Sequence, residues 1–400
     1  MTHQPRPATD RRRTAEVVVI GGGIVGACCA DLLAAAGRTV VVVERGSLTG
    51  GTTAAGEGNI LVSDKLPGPE LELALDSNRR WRAMGDELGA TIELDPKGGL
   101  VVAATDDGLA ALHALTTRQR AAGVEVELVD VAGMHALEPH LTPRLAGGAF
   151  YPQDLQVQPV LAVAHLLRRA RAAGAELRAG VEVTGVEREP SGRVRGVTTT
   201  DGPIETPVVV NATGVGSDAL ARLAGIDEGL PVQPRRGHIL VTEPLPRLVH
   251  RKVYDADYVG TLGSGQADLE VSSVIEGTAG GTILIGSSRE RVGFDRTTNP
   301  AALAAMAARA IALFPVLVRA RVIRSYLGFR PWTPDHLPII GEDPRVPGLW
   351  HATGHEGAGI GLAPATAALV AAGITGTPPP LDPTPFRPDR PTLVGVGTDS

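Results

Sequence analysis

The chain has 400 residues, 43% of them hydrophobic, enough to bury a large core and to fill about two domains of typical size. Its 50 glycines and 31 prolines make it rich in turns without reaching low complexity. With 38 basic and 44 acidic residues, a formal net charge of −6, it lacks the basic excess of a nucleic-acid binder.

Met1–Ala15 is polar, arginine-rich and aperiodic, which predicts a mobile tail. Arg11, Arg12 and Arg13 precede an apolar run, but no small-residue cleavage site follows, so an export signal is not expected. Val17–Gly21 reads as a buried strand, Ile24–Ala36 as a helix and Thr39–Glu44 as a second buried strand, together a βαβ unit. Asp31 and three glycines interrupt this apolar run short of the roughly 18 to 20 residues that span a bilayer, and no transmembrane segment is expected. Cys28 and Cys29 are adjacent, which offers neither a long-range disulfide nor a metal site and suits a cytoplasmic setting. Strands are predicted at Val181–Glu187, Arg193–Thr200 and Pro207–Asn211, and helices at Val160–Ala173, Pro300–Phe314 and Gly359–Ala372. Seven prolines from Pro378 to Pro391 predict an extended C-terminal tail without chemistry.

This order implies an α/β fold: a Rossmann-like nucleotide-binding domain built from discontinuous segments (16–88, 155–230, 326–375), interleaved with a β-rich substrate domain (89–154, 231–325). Residues 1–15 and 376–400 are left as tails. Gly21, Gly23 and Gly26 form G-x-G-x-x-G directly after a strand and at the opening of a helix. The first permits the turn, the second lets a pyrophosphate approach the backbone, and the third packs helix on strand. Glu44, 23 residues after Gly21, is placed to accept hydrogen bonds from a ribose, which suits NAD or FAD better than NADP.

Beyond that motif come Glu44-Arg45, GGTTAAGEGNILVSDK at 50–65, ATG at 212–214, GFRPWTPDHLPIIG at 328–341 and GHEGAGIGLAPATA at 354–367. In this order and spacing the chain, over about 16–375, resembles the D-amino-acid oxidase superfamily of FAD enzymes. That superfamily includes glycine and sarcosine oxidases and the flavin subunits of D-hydroxyproline, opine and hydrogen cyanide-forming dehydrogenases.

The resemblance implies non-covalent FAD, because Gly328 stands where sarcosine oxidases tether the ring through a cysteine. Cofactor-binding positions would be Gly21, Gly23, Ile24, Val25 and Gly26; Glu44 and Arg45; Gly51, Thr52, Thr53, Gly56, Gly58 and Asn59; the main chain of Val183; Ala212, Thr213 and Gly214; Gly328; and Gly354, Gly357, Ala358, Gly359 and Ile360. Thr52 and Thr53 are candidates for the pyrophosphate, and the helix start near Gly359 for the anion formed at flavin N1 and O2 on reduction.

Arg330 matches the arginine that binds the substrate carboxylate in these oxidases, a task suited to a planar fork; the competing role is an ion pair with a buried acid, for which Asp335 is nearest. His355 and Glu356 are candidates to shape the pocket or move a proton, with His336 and His351 weaker ones. Val274 falls where glycine oxidase has a tyrosine, while Tyr254 and Tyr258 lie upstream in a segment more like the dehydrogenase subunits. Leu284 falls where sarcosine oxidases carry an oxygen-activating lysine, and none of Lys65, Lys97 and Lys252 is on that strand. The implied activity is oxidation of the C–N bond of a small amino or imino acid by hydride transfer to flavin N5. A small iron–sulfur protein or second flavin subunit is an implied partner. The alternatives are an NAD-binding dehydrogenase, which leaves GHEGAGIG without a task, and a non-catalytic flavoprotein subunit of an assembly.

Overall fold

The computed structural model describes residues 13–256 and 268–393, so Tyr258 lies outside the described residues. Val17–Ile20 consists of four buried β-branched residues and takes the middle of a six-stranded sheet. Val40–Glu44 and Val209–Asn211 flank it in parallel. The order across the sheet is Ile339–Glu342, Leu349–Thr353, Val209–Asn211, Val17–Ile20, Val40–Glu44 and Glu176–Ala179, and only the first strand is antiparallel to its neighbour. The chain joins its first sheet contact earlier than expected: Arg13–Ala15 already bonds Glu205 along the small three-stranded sheet of Val183–Arg188, Val194–Thr199 and Ile204–Glu205.

Helix Ile24–Ala35 is apolar on all sides because helices Pro159–Ala172 and Gly359–Thr375 press on it as the sheet does. Its single charge, Asp31, is paired with Arg169 at 3.2 Å. Helix Gly359–Thr375 with the turn before it corrects the expectation about apolar runs, since 356–375 is long and apolar enough to cross a membrane; 67% of its apolar window is buried inside the fold. Pro364 removes the N–H that the Ile360 carbonyl would have received, and the Trp81 indole N–H supplies that bond at 3.1 Å from helix Pro69–Leu88.

The second layer is an eight-stranded sheet ordered Val322–Trp332, Gln233–Thr242, Ile283–Arg289, Glu270–Gly277, Lys252–Asp255, Gly99–Ala103, Gly147–Tyr151 and Glu127–Val129. Ile283, Ile285 and Leu240 bury one face with Met306 and Ala310 of helix Pro300–Leu313, which Asn299 caps and Pro300 opens. The boundary expected at 326 falls inside Val322–Trp332, which pairs with Gln233–Thr242 along its whole length. The other face of this sheet looks toward the nucleotide motif.

The C-terminal segment also departs from expectation. Phe386 is fully buried, and the Arg390 guanidinium binds both oxygens of Asp335 at 2.6 and 2.9 Å and the carbonyls of Leu337 and Pro338. Proline barred regular structure there without preventing attachment.

Candidate active site

A cavity of about 550 Å³ runs from the first βα turn to the inner face of the eight-stranded sheet. At its nucleotide end the wall is backbone. Gly21 has φ +115°, and a Cβ there would overlap the Ala212 carbonyl; one on Gly26 would overlap the carbonyl of Gly21. Gly23 faces the cavity with only the Thr53 hydroxyl nearby. Thr53 Oγ1 accepts from the N–H of Ile24, the first of the helix, at 3.1 Å. The Glu44 carboxylate accepts from the N–H groups of Gly22 and Gly46, both at 2.8 Å, which fixes it on the cavity wall.

Twenty of the twenty-three residues proposed for the cofactor line this cavity; Gly26, Gly58 and Gly354 do not. Those three are required by packing instead: Gly26 against Gly21, Gly58 (φ +94°) against the Val157 carbonyl, and Gly354 (φ +77°) against Thr333. Thr52 lines the cavity, but its hydroxyl donates to the Phe329 carbonyl at 2.7 Å, tying the loop to the sheet. A Cβ on Gly328 would come within 2.5 Å of Ala55, so loop and strand meet closely there. Cys28 and Cys29 are free thiols buried in the first helix, and burial pushes Cys29 up to about 12.

At the substrate end the wall is charged side chains. Three adjacent strands present Gly328 and Arg330, Gly237 and Ile239, and Ser287 and Arg289 to the cavity. Arg330 Nη1 donates to the Ser288 carbonyl at 2.8 Å, and its side chain passes Gly237, where a Cβ would overlap the guanidinium, and Gly357, where a Cβ would just touch it. Asp335 is not its partner, since Arg390 and Thr392 hold that carboxylate. Burial pushes the Asp335 carboxyl up, but the Arg390 fork outweighs this and keeps it below the usual range.

Glu356, at φ +46°, accepts a hydrogen bond from His336 Nδ1 at 2.7 Å and approaches Arg235 Nη1 at 3.7 Å. That bond raises the His336 pKa against the opposing effect of burial. His355 behaves differently. Its ring is buried, its Nε2 bonds the Thr366 hydroxyl at 2.9 Å, and desolvation lowers its pKa to about 3, so it stays neutral and braces the apolar helix. His351 is likewise internal, between Asp343 and Asn211.

The sequence reading missed Arg289, Ser287 and Lys65. Lys65 is held by Asp64 at 3.2 Å and Glu70 at 3.1 Å on the cavity wall. The lysine absent at Leu284 has a neighbour as well: Lys252 from the next strand but one binds Glu276, the register partner of Leu284, at 2.8 Å, and also reaches Asn59. Val274 pairs with Tyr254 across the sheet, and the Tyr254 hydroxyl is buried against Ser63 and Asp154, away from the cavity lining.

Residues 16–372 match the family described as FAD dependent oxidoreductase. The chain belongs to this D-amino-acid oxidase (DAO) family. It is 32% identical to glycine oxidase of Pseudomonas putida over 76% of this chain and 79% of the relative. Hydrogen cyanide synthase subunit HcnC of Pseudomonas aeruginosa is 29% identical over 81% of this chain and 75% of the relative. The crystal structure of glycine oxidase from Geobacillus kaustophilus superposes with a TM-score of 0.84 at 29% identity, covering 94% of this chain and 99% of that one. The DAO fold thus accounts for both sheets and for the cavity between them, and the protein is an FAD-dependent oxidoreductase.

Proposed function

We propose that the protein oxidises the C–N bond of a small amino or imino acid whose carboxylate is held by Arg330. The observation that carries this reading is the Arg330 guanidinium itself, set on the cavity floor with one nitrogen anchored to Ser288 and its chain confined by two glycines. Such a fork fixes the plane of a carboxylate, and with it the direction of the neighbouring C–H. The cavity residues fit FAD: the Gly21, Gly23 and Ile24 backbone would hold the pyrophosphate, Glu44 a ribose, and the Gly357–Ile360 helix start the polar edge of the ring. When bound, the flavin supplies the acceptor for the hydride leaving the carbon that bears nitrogen. The protein contributes position and, at Glu356, a carboxylate on the wall of the same cavity.

Anaerobic mixing of the FAD-loaded protein with amino acids, imino acids and N-substituted amino acids tests this by loss of the visible flavin band. Bleaching by such a substrate supports the reading; bleaching by none while 2-hydroxy acids or NADH succeed overturns it. A second reading, a flavin subunit that works beside a small iron–sulfur protein or second flavin subunit, is favoured by Val316 and Val318 in the turn Pro315–Arg319 and by Val322 and Ile323 at the start of the edge strand of the larger sheet, all exposed and apolar. The mass of the native complex decides it.

A further inference from the structure

Arg330 lies on the cavity side of the larger sheet, and its anchor is reached from the other side. Ser287 and Arg289 line the cavity, so the Ser288 side chain between them points to the opposite face, toward helix Pro300–Leu313. There Ser288 Oγ accepts the main-chain N–H of His238 at 2.9 Å and stands 3.1 Å from the ring Nδ1 of the same residue. His238 is 1% exposed, and its Nε2 accepts the N–H of Asn299, the residue that caps the helix, at 3.3 Å. Gly237, one position earlier, leaves room for the Arg330–Ser288 bond, since a Cβ there would overlap both Arg330 Nη1 and the Ser288 carbonyl.

The Asn299 N–H can only donate, so Nε2 carries the lone pair and the proton of the neutral ring is on Nδ1, where it donates to Ser288 Oγ. Burial lowers the His238 pKa; Glu290, 3.7 Å from Nδ1, opposes this, and the Arg236 and Arg330 charges add to it, so the ring is neutral at pH 7. Its surroundings are fixed as well, because Glu290 accepts from Arg236 Nε at 2.9 Å and from Asn299 Nδ2 at 3.2 Å. A side chain that merely filled this space would need neither ring nitrogen.

We propose that His238 is a positioning residue for Arg330, its ring holding Ser288 on the helix side of the sheet while the Ser288 carbonyl holds the guanidinium on the cavity side. This rests on the function proposed above for Arg330 and adds a residue that does not itself line the cavity. A carboxylate is oriented only as well as the fork that receives it, and a fork set by a strand carbonyl moves when that strand shifts. Tying Ser288 through His238 to the cap of helix Pro300–Leu313 gives the guanidinium the rigidity of the helix layer.

The test uses the FAD-loaded full chain in two arms. In the first, the protein carries nitrogen-15 arginine, and solvent exchange of the Arg330 guanidinium N–H signals, identified by their loss in Arg330→Ala, is followed by NMR. His238→Phe should speed that exchange about threefold or more, and His238→Gln should restore it, because an amide can both donate to Ser288 and accept from Asn299. Unchanged exchange in His238→Phe, or equal acceleration in both variants, overturns the proposal. In the second arm, butyrate, a carboxylate with no amine to oxidise, is titrated against the visible flavin spectrum. His238→Phe should weaken its binding about three- to tenfold and His238→Gln much less. In a Ser288→Ala background the same His238→Phe change should add little, since the route through Ser288 is already cut; factors that multiply would reduce His238 to packing and overturn the proposal. If Arg330→Ala binds butyrate as wild type does, the carboxylate role of Arg330 fails, and the exchange arm alone decides the role of His238. Should His238→Phe not fold, Ser288→Ala alone must speed the Arg330 exchange, and its failure to do so counts against the proposal.

Discussion

The two ends of the cavity are made of different material. The nucleotide end is backbone and glycine, with Glu44 fixed by two N–H groups. The substrate end is buried charge: Arg330, Arg235, Arg289, Glu356 and His336, drawn from strands and turns far apart in sequence. A backbone cradle tolerates no added volume but is indifferent to charge. A side-chain cradle tolerates changes of volume poorly and changes of charge worse.

The largest effect should come from volume at the nucleotide end. Gly26→Val places a side chain onto the Gly21 carbonyl and should prevent folding, whereas Gly23→Val, with only Thr53 nearby, should fold yet purify without yellow colour. Circular dichroism beside the flavin spectrum separates the two, and a yellow Gly23→Val would break the contrast. Next in size is charge at the substrate end. Arg330→Ala should retain FAD while losing roughly 2 to 5 kcal/mol of transition-state binding, about 30- to several-thousand-fold in kcat/KM. Loss of flavin in that variant would make Arg330 a structural residue.

Arg390→Ala removes the guanidinium that fixes the Asp335 turn, and so acts on His336 and Glu356 through one intermediary. A loss of about tenfold in kcat/KM with flavin content preserved is expected. Unchanged kinetics would show that the clamp has no bearing on the site. The smallest effect is on stability. The folded pKa of His336 is raised by Glu356, so the pair stabilises fully below the unfolded histidine value of about 6.5 and loses this as pH rises through the raised value. The gap in Tm between wild type and Glu356→Gln should therefore be widest near about pH 6 and narrow toward about pH 9, the His336 part reflecting no more than about 1 kcal/mol for a part-exposed pair and the Arg235 contact remaining. A gap that widens with pH would contradict the assignment.

The same contrast explains what could be read from the sequence. A backbone site leaves glycines at set spacing, so Gly21, Gly23, Gly26 and Glu44 mark it in the order of residues alone. Buried charge leaves no such spacing. Arg289 was hidden because side alternation along Ile283–Arg289 reverses: Ile283 and Ile285 pack beneath helix Pro300–Leu313, yet Ser287 and Arg289 face the cavity. His355 and His336 show the reverse error, for the more prominent histidine is sealed against Thr366 while the other holds Glu356. Arg390 lay in a segment whose proline content argued against structure, although proline forbids helix and sheet rather than side-chain anchorage.

The clamp by Arg390 bears on how the chain is made. Synthesis delivers Val17–Ile20 first, and its parallel neighbour Val209–Asn211 much later, so an apolar strand edge waits uncovered on the growing polypeptide. The turn carrying His336 is secured later still, once Arg390 has emerged and met Asp335. A polypeptide released before that residue carries every cofactor motif but an unsecured substrate wall. Securing the substrate wall thus waits on Arg390, and a translation product stopped at Thr375 should take up flavin more readily than it turns over substrate.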